Sequence, residues 1–92
     1  MDVSRYLDVR IAPKAIFDHL EERASRPRYM VPEGDAWLPV TYAEHASEIE
    51  RCALFLGTEL APGDRAAIFA PNRVEWMSAA LGVQAAGGVM VP

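Results

Sequence analysis

Residues 64–92, DRAAIFAPNRVEWMSAALGVQAAGGVMVP, decide the fold. A short apolar run, a turn with a helix-start signal, an apolar helical stretch, a Gly-Gly break and a second apolar run follow in the order of a βαβ unit. The runs 66–70 and 89–91 show no apolar/polar alternation, so their strands are predicted to be buried on both faces, as in parallel sheets of α/β domains. Between them Asn72 is placed to cap a helix, with Arg73 and Val74 opening it and Glu75 at the third position to reach back. Val74, Met77, Leu81 and Ala85 share one helix face and Trp76, Ala80 and Val83 extend onto the next, which predicts burial on more than one side. The remaining stripe, Ser78, Gly82 and Ala86, is small. A mid-helix Gly costs roughly 1 kcal/mol relative to Ala, so another backbone is expected to pack closely along it. Two parallel strands and one crossover helix cannot cover both faces and both edges of a sheet. The stretch therefore reads as the opening of a larger α/β domain, with its sheet incomplete.

Working outward, Ala61-Pro62-Gly63-Asp64 is a turn delivering the chain into the first parallel strand. Before it, Thr41-Tyr42-Ala43-Glu44 is a capping box, followed by Tyr42, Ala46, Ile49, Ala53 and Leu56 at helical spacing with Glu44, Glu48, Glu50 and Arg51 facing out. This predicts an amphipathic helix from about 42 to 57, where Gly57 offers a stop and Leu60 would allow one further turn. The runs 28–32 and 36–40 around Glu33-Gly34-Asp35 read as a β-hairpin, and Pro32 and Pro39 give it a peripheral position. Pro13, Ile16, Phe17, Leu20 and Ala24 predict a short amphipathic helix over 13–25, ended by Arg26-Pro27. Residues 1–12 have no clear period and read as an arm. Residues 13–63 and the βαβ unit over 64–92 then form one fragment of a single domain.

The composition, 51% hydrophobic and 24% charged, is that of a globular chain and not of a disordered tail. A net charge of −4, pI near 5.0 and scattered arginines exclude a nucleic-acid surface and limit any membrane contact to a peripheral one. The single cysteine, Cys52, allows no internal disulfide and fits a reducing cytoplasm. The N-terminus is charged from its second residue, unlike a signal peptide, and no apolar run approaches the roughly 20 residues that span a bilayer.

The chain holds no GxGxxG, no glycine-rich loop ending in Lys-Ser or Lys-Thr, and no Cys/His metal spacing, so no catalytic and no metal-ligating residue is assigned. Gly87-Gly88 reads as a helix-to-strand turn in preference to a phosphate loop. His19 and His45 fall on separate helices, and for each the structural role is favoured. Cys52 reads as a buried thiol and Glu48 and Glu50 as solvated charge. Trp76 reads as a core anchor whose removal would cost roughly 3–5 kcal/mol. Asn72 and Arg73 are the candidate cofactor-binding residues, because their loop leaves the carboxyl end of a parallel strand, where open α/β sheets bind ligands.

WLPVTYAE at 37–44, PGDRAAIFAPNRVEW at 62–76 and AAGGVMVP at 85–92, in that order and separation, resemble the start of the AMP-forming acyl-CoA synthetases of the adenylate-forming superfamily. The resemblance covers about residues 13–92 and is nearest to the long-chain fatty-acyl branch. Glu59 stands where these enzymes usually have a helix-ending glycine, and Ala67 where a larger branched residue is common. The resemblance implies a parent enzyme using ATP, Mg²⁺ and coenzyme A to turn a fatty acid into an acyl-adenylate and then a thioester. The family's Ser/Thr/Gly-rich loop ending in Pro-Lys-Gly, its Mg²⁺ acid, its ribose-binding Asp and its late lysine map onto no residue here. Lys14 lies outside any such motif. The fragment is accordingly expected to be inactive alone and to bind no cofactor, its partner being the remainder of the enzyme or a second copy. From a different class, a small interaction or dimerisation module using its open sheet edge accounts for the same features. A free-standing nucleotide binder lacks the phosphate loop and ranks last.

Overall fold

A computed structural model describes residues 11–92 as a mixed α/β arrangement of helices, an antiparallel pair and a parallel pair. Most of the arm expected over 1–12 lies outside the described residues. The expected helix over 13–25 is two short ones, α1 (Ala12–Phe17) and α2 (Leu20–Arg23), parted at Asp18-His19. The Asp18 N–H still bonds to the Lys14 carbonyl at 2.9 Å, but His19 leaves the helical region at φ −115, ψ 11. A helix this short has little intrinsic stability with which to resist a break. Its buried face is also narrower than the spacing predicts: Pro13 and Ile16 are buried and Leu20 packs against the core, while Phe17 is exposed.

Strands β1 (Pro27–Glu33) and β2 (Ala36–Thr41) form the predicted hairpin in antiparallel register, from Pro27↔Thr41 to Glu33↔Ala36, with a bulge at Arg28. Because Glu33 and Ala36 pair, the loop is the two residues Gly34-Asp35 and not the three of 33–35. Gly34 takes φ 59 and Asp35 does not take positive φ, the pattern of a type II′ turn.

Helix α3 (Tyr42–Glu59) starts where its capping box predicts. Glu44 N–H donates to Thr41 Oγ1 at 3.1 Å, and the two preceding amides, of Tyr42 and Ala43, donate to the carbonyls of Arg26 and Ala24 at 3.0 Å. Three of the four amides a helix leaves unpaired at its start are thereby satisfied. Gly57 does not stop the helix. It keeps a negative φ, and α3 runs on to a cap at Leu60, whose N–H reaches the Leu56 carbonyl at 2.8 Å. Past it, the turn closes by Ala61 N–H donating to Asp64 Oδ2 at 2.8 Å and Asp64 N–H to the Ala61 carbonyl.

Strand β3 (Arg65–Ala67), helix α4 (Val74–Ala85) and strand β4 (Val89–Val91) form the βαβ unit, with Arg65, Ala66 and Ala67 opposite Val89, Met90 and Val91 in parallel. Each strand is three residues long, shorter than the run 66–70 predicts. The expected double burial is not met within this chain: Val89 and Val91 are exposed and Phe69 fully so. The crossover helix supplies apolar cover from one side only. Helix α4 leaves through a Schellman cap, in which Gly87 N–H donates to the Gln84 carbonyl and Gly88 N–H to that of Val83, with Gly87 at φ 86.

The core lies between α1, α3 and α4: Ile16, Ala46, Ile49 and Leu81, with Leu20, Tyr42 and Met77 packed against them. The small stripe of α4 meets a backbone as predicted. A Cβ on Gly82 would lie 2.7 Å from both Cβ and Sγ of Cys52 and 3.4 Å from the Ala53 nitrogen. Trp76, read as a core anchor, is only half-buried and outside that cluster.

Candidate functional site

Two features come together where the hairpin meets the start of α4. The first is an open groove of about 700 Å³, walled by Tyr29, Val31, Leu38 and Val40 and rimmed by Asn72 and Arg73. Both rim residues are exposed. The sequence placed them at the carboxyl end of a parallel strand, and they do follow β3, but Asn72 caps nothing. The N-cap is Arg73, in extended backbone at φ −144, ψ 165, and its side chain makes no capping bond. Glu75 does not reach back either; it lines the groove with Glu48. A local cap therefore does not define where α4 begins.

The second feature lies on the buried side of the same helix turn. Ser78 Oγ donates to Glu48 Oε2 at 2.7 Å, lies 3.3 Å from His45 Nδ1, and is 3.2 Å from the Val74 carbonyl one turn earlier. The serine has one proton, and the short bond to a carboxylate is the strongest of the three contacts. Oγ then presents a lone pair to His45, which fixes the proton on Nδ1 and leaves Nε2 bare. The His45 ring is fully buried, with the Tyr29 ring edge-on at 5.1 Å and 81°. The Arg28 guanidinium stacks over the rings of Tyr29 at 5.1 Å and Tyr42 at 5.4 Å. Neither His45 Nε2 nor Arg28 Nε has a hydrogen-bond partner among the described residues. Burial of the ring, with the Arg28 charge second, holds His45 below the usual histidine range against the opposing pull of Glu48.

A serine, a histidine and a glutamate in contact are not here a nucleophile and its base. The serine is central, bonded to both partners, buried in mid-helix and protonated toward the carboxylate, whereas a catalytic serine donates to its base. The arrangement satisfies polar groups between helices. The sequence reading missed it by assigning Ser78 to the small stripe and Glu48 to solvent; Glu48 is half-buried. The available signal was a hydroxyl in the middle of a mostly apolar helix, which must find a partner, and His45 and Glu48 three apart on α3 share a face. Burial pushes the Cys52 thiol up, away from reactivity.

The amides of Gly87 and Gly88 are taken by the α4 cap and cannot cradle a phosphate. Among the described residues no group of three or more His, Cys, Asp or Glu is placed to hold a metal ion. No step of a reaction is derived through Mg²⁺ here. No helix of the described residues is long and apolar enough to cross a membrane.

The family model for AMP-binding enzymes matches residues 17–92, from α1 through β4. The chain belongs to the AMP-binding enzyme family. Among curated members, it is 36% identical over 62 residues to 3-[(3aS,4S,7aS)-7a-methyl-1,5-dioxo-octahydro-1H-inden-4-yl]propanoyl:CoA ligase of Rhodococcus jostii (strain RHA1), an alignment covering 67% of this chain and 12% of that protein. Membership of the AMP-binding enzyme family places the chain in the adenylate-forming superfamily and accords with its incomplete parallel pair.

Proposed function

We propose that this chain is the N-terminal part of an AMP-forming fatty-acyl-CoA ligase of the cytoplasm. In that reaction a fatty carboxylate attacks the α-phosphate of ATP with Mg²⁺ present and releases pyrophosphate; the thiol of coenzyme A then displaces AMP to give the thioester. The observation that carries the reading is the family match running through the uncovered parallel pair, where the exposed Val89 and, just past β3, the fully exposed Phe69 call for further sheet. The fatty-acyl assignment rests on the Trp37 to Glu44 opening and on NRVEW at 72–76. That the relative is named a propanoyl:CoA ligase supports a carboxylic acid as substrate.

The chain alone is expected to show no ATP–pyrophosphate exchange with any carboxylate. The longer protein read from the source DNA is expected to form AMP and a thioester with long-chain fatty acids. Exchange by the chain alone would overturn its inactivity; thioester formation from bicyclic propanoates but not from fatty acids would move the substrate class.

A second reading is favoured by the open edges of β3 and β4, which among the described residues have no neighbour beyond each other. In it the chain pairs there with a second copy as an interaction module. A mass that doubles with concentration in sedimentation equilibrium supports this reading; a constant monomer mass removes it.

A further inference from the structure

We propose that His45, Ser78 and Glu48 act as a proton-sensitive bolt that positions the 70–73 loop, coupling the hairpin to the carboxyl end of β3. The start of α4 has no side-chain cap. One turn further in from Val74, the first residue of α4, Ser78 is tied across to Glu48 and His45 of α3. Arg73 and Asn72 precede Val74 directly, so the place at which Ser78 is pinned to α3 sets where their backbone leaves the helix. On its other side His45 meets the Tyr29 ring, which is itself stacked on Arg28 of the same strand. A single buried ring thus touches the hairpin, α3 and α4.

Among the described residues, the charged and titratable groups around His45 are Arg28 and Tyr29 from β1 and Glu48 from its own helix; α4 contributes the Ser78 hydroxyl. Protonating Nε2 creates a second ring N–H with no acceptor among the described residues, close to the Arg28 charge. The imidazolium is stabilised by leaving the pocket, and when it leaves, Ser78 loses one of its two ties to α3, the Nδ1–H donor, and keeps only its bond to Glu48. The sign follows from the lowered value. The folded state resists the proton that the unfolded state takes up near the ordinary 6.5, so the contribution of His45 is fully present above about 6.5 and is lost as pH falls below it. The inference is independent of the ligase reading, since it concerns contacts within this chain.

The test is nuclear magnetic resonance of the 92-residue chain, labelled with ¹⁵N on backbone and imidazole. At neutral pH the His45 Nδ1 is expected to carry the proton. On acidification the amides of Asn72, Arg73 and Val74 are expected to shift along the His45 titration curve, below 6.5. His45→Gln should remove that curve from the loop amides. Ser78→Ala should leave His45 titrating while the loop no longer follows, and His19→Gln should change neither. An Nε2–H tautomer, loop amides that stay still while His45 titrates, or the loss of all amides together overturns the proposal. Should either pocket variant fail to fold, the wild-type tautomer and the wild-type loop shifts decide it.

Discussion

The hairpin β1–β2 and the parallel pair β3–β4 are both two-stranded, yet only the hairpin is organised by its own residues. Gly34-Asp35 joins its strands directly, its register runs the length of both, and Pro32 and Pro39 remove donors that a further strand would use. The parallel pair needs α4 to connect three residues to three, and carries no proline within its strands. The hairpin still exposes Trp37 and Met30, so it is not the drier of the two. The difference is one of dependence. An antiparallel pair is closed by a local turn, whereas a parallel pair owes its geometry to a crossover and its burial to neighbours on both faces.

That contrast can be broken at the core. Ile49 is fully buried between α3 and α4, and Ile49→Ala is expected to cost about 2–5 kcal/mol, read by urea denaturation. Hydrogen exchange should then show protection lost at β3–β4 before the hairpin; simultaneous loss would make the two sheets one cooperative unit and end the distinction. Next in size is Gly82→Ala, whose Cβ meets Cys52 at 2.7 Å and forces the helices apart at about 1–3 kcal/mol. Its amide shift changes should concentrate in α3, α4 and β4. A map centred on the hairpin would contradict the dependence of the parallel pair on helix docking.

Gly34→Ala tests the other side. The added methyl meets nothing within 4 Å, so only the φ of 59 matters, at about 1–2 kcal/mol. Exchange should quicken in β1 and β2 and stay unchanged in β3 and β4. The smallest effect is expected at Phe69, which is fully exposed: Phe69→Ser should move stability by less than about 0.5 kcal/mol in this chain. The same substitution in the longer protein is expected to cost about 3 kcal/mol if further sheet covers the ring. Equal effects in both settings would leave Phe69 without the cover that the ligase reading requires.

The elements closed by local chemistry were legible. The Thr41 capping box, the hairpin, the Gly87-Gly88 exit from α4 and the parallel βαβ order are where the residues place them, because caps and turns are decided within a few positions. The small stripe on α4 was legible too, since a glycine in mid-helix has a cost that a close neighbour explains. Asn72 was the misleading signal: a good capping residue one position before the observed cap, Arg73.

What sequence alone determined is therefore the kind of each element, the parallel sense of the second pair and its need for more sheet. Tertiary structure decided the rest. It placed Glu48 and His45 of α3 against Ser78 of α4, residues 30 and 33 positions apart, and turned a charge read as solvated into a half-buried acceptor. Hydrogen bonds between helices depend on how two cylinders are rotated against each other, and no local pattern in either helix states that rotation; the close approach at Gly82 and the burial of Ile49 belong to the same packing.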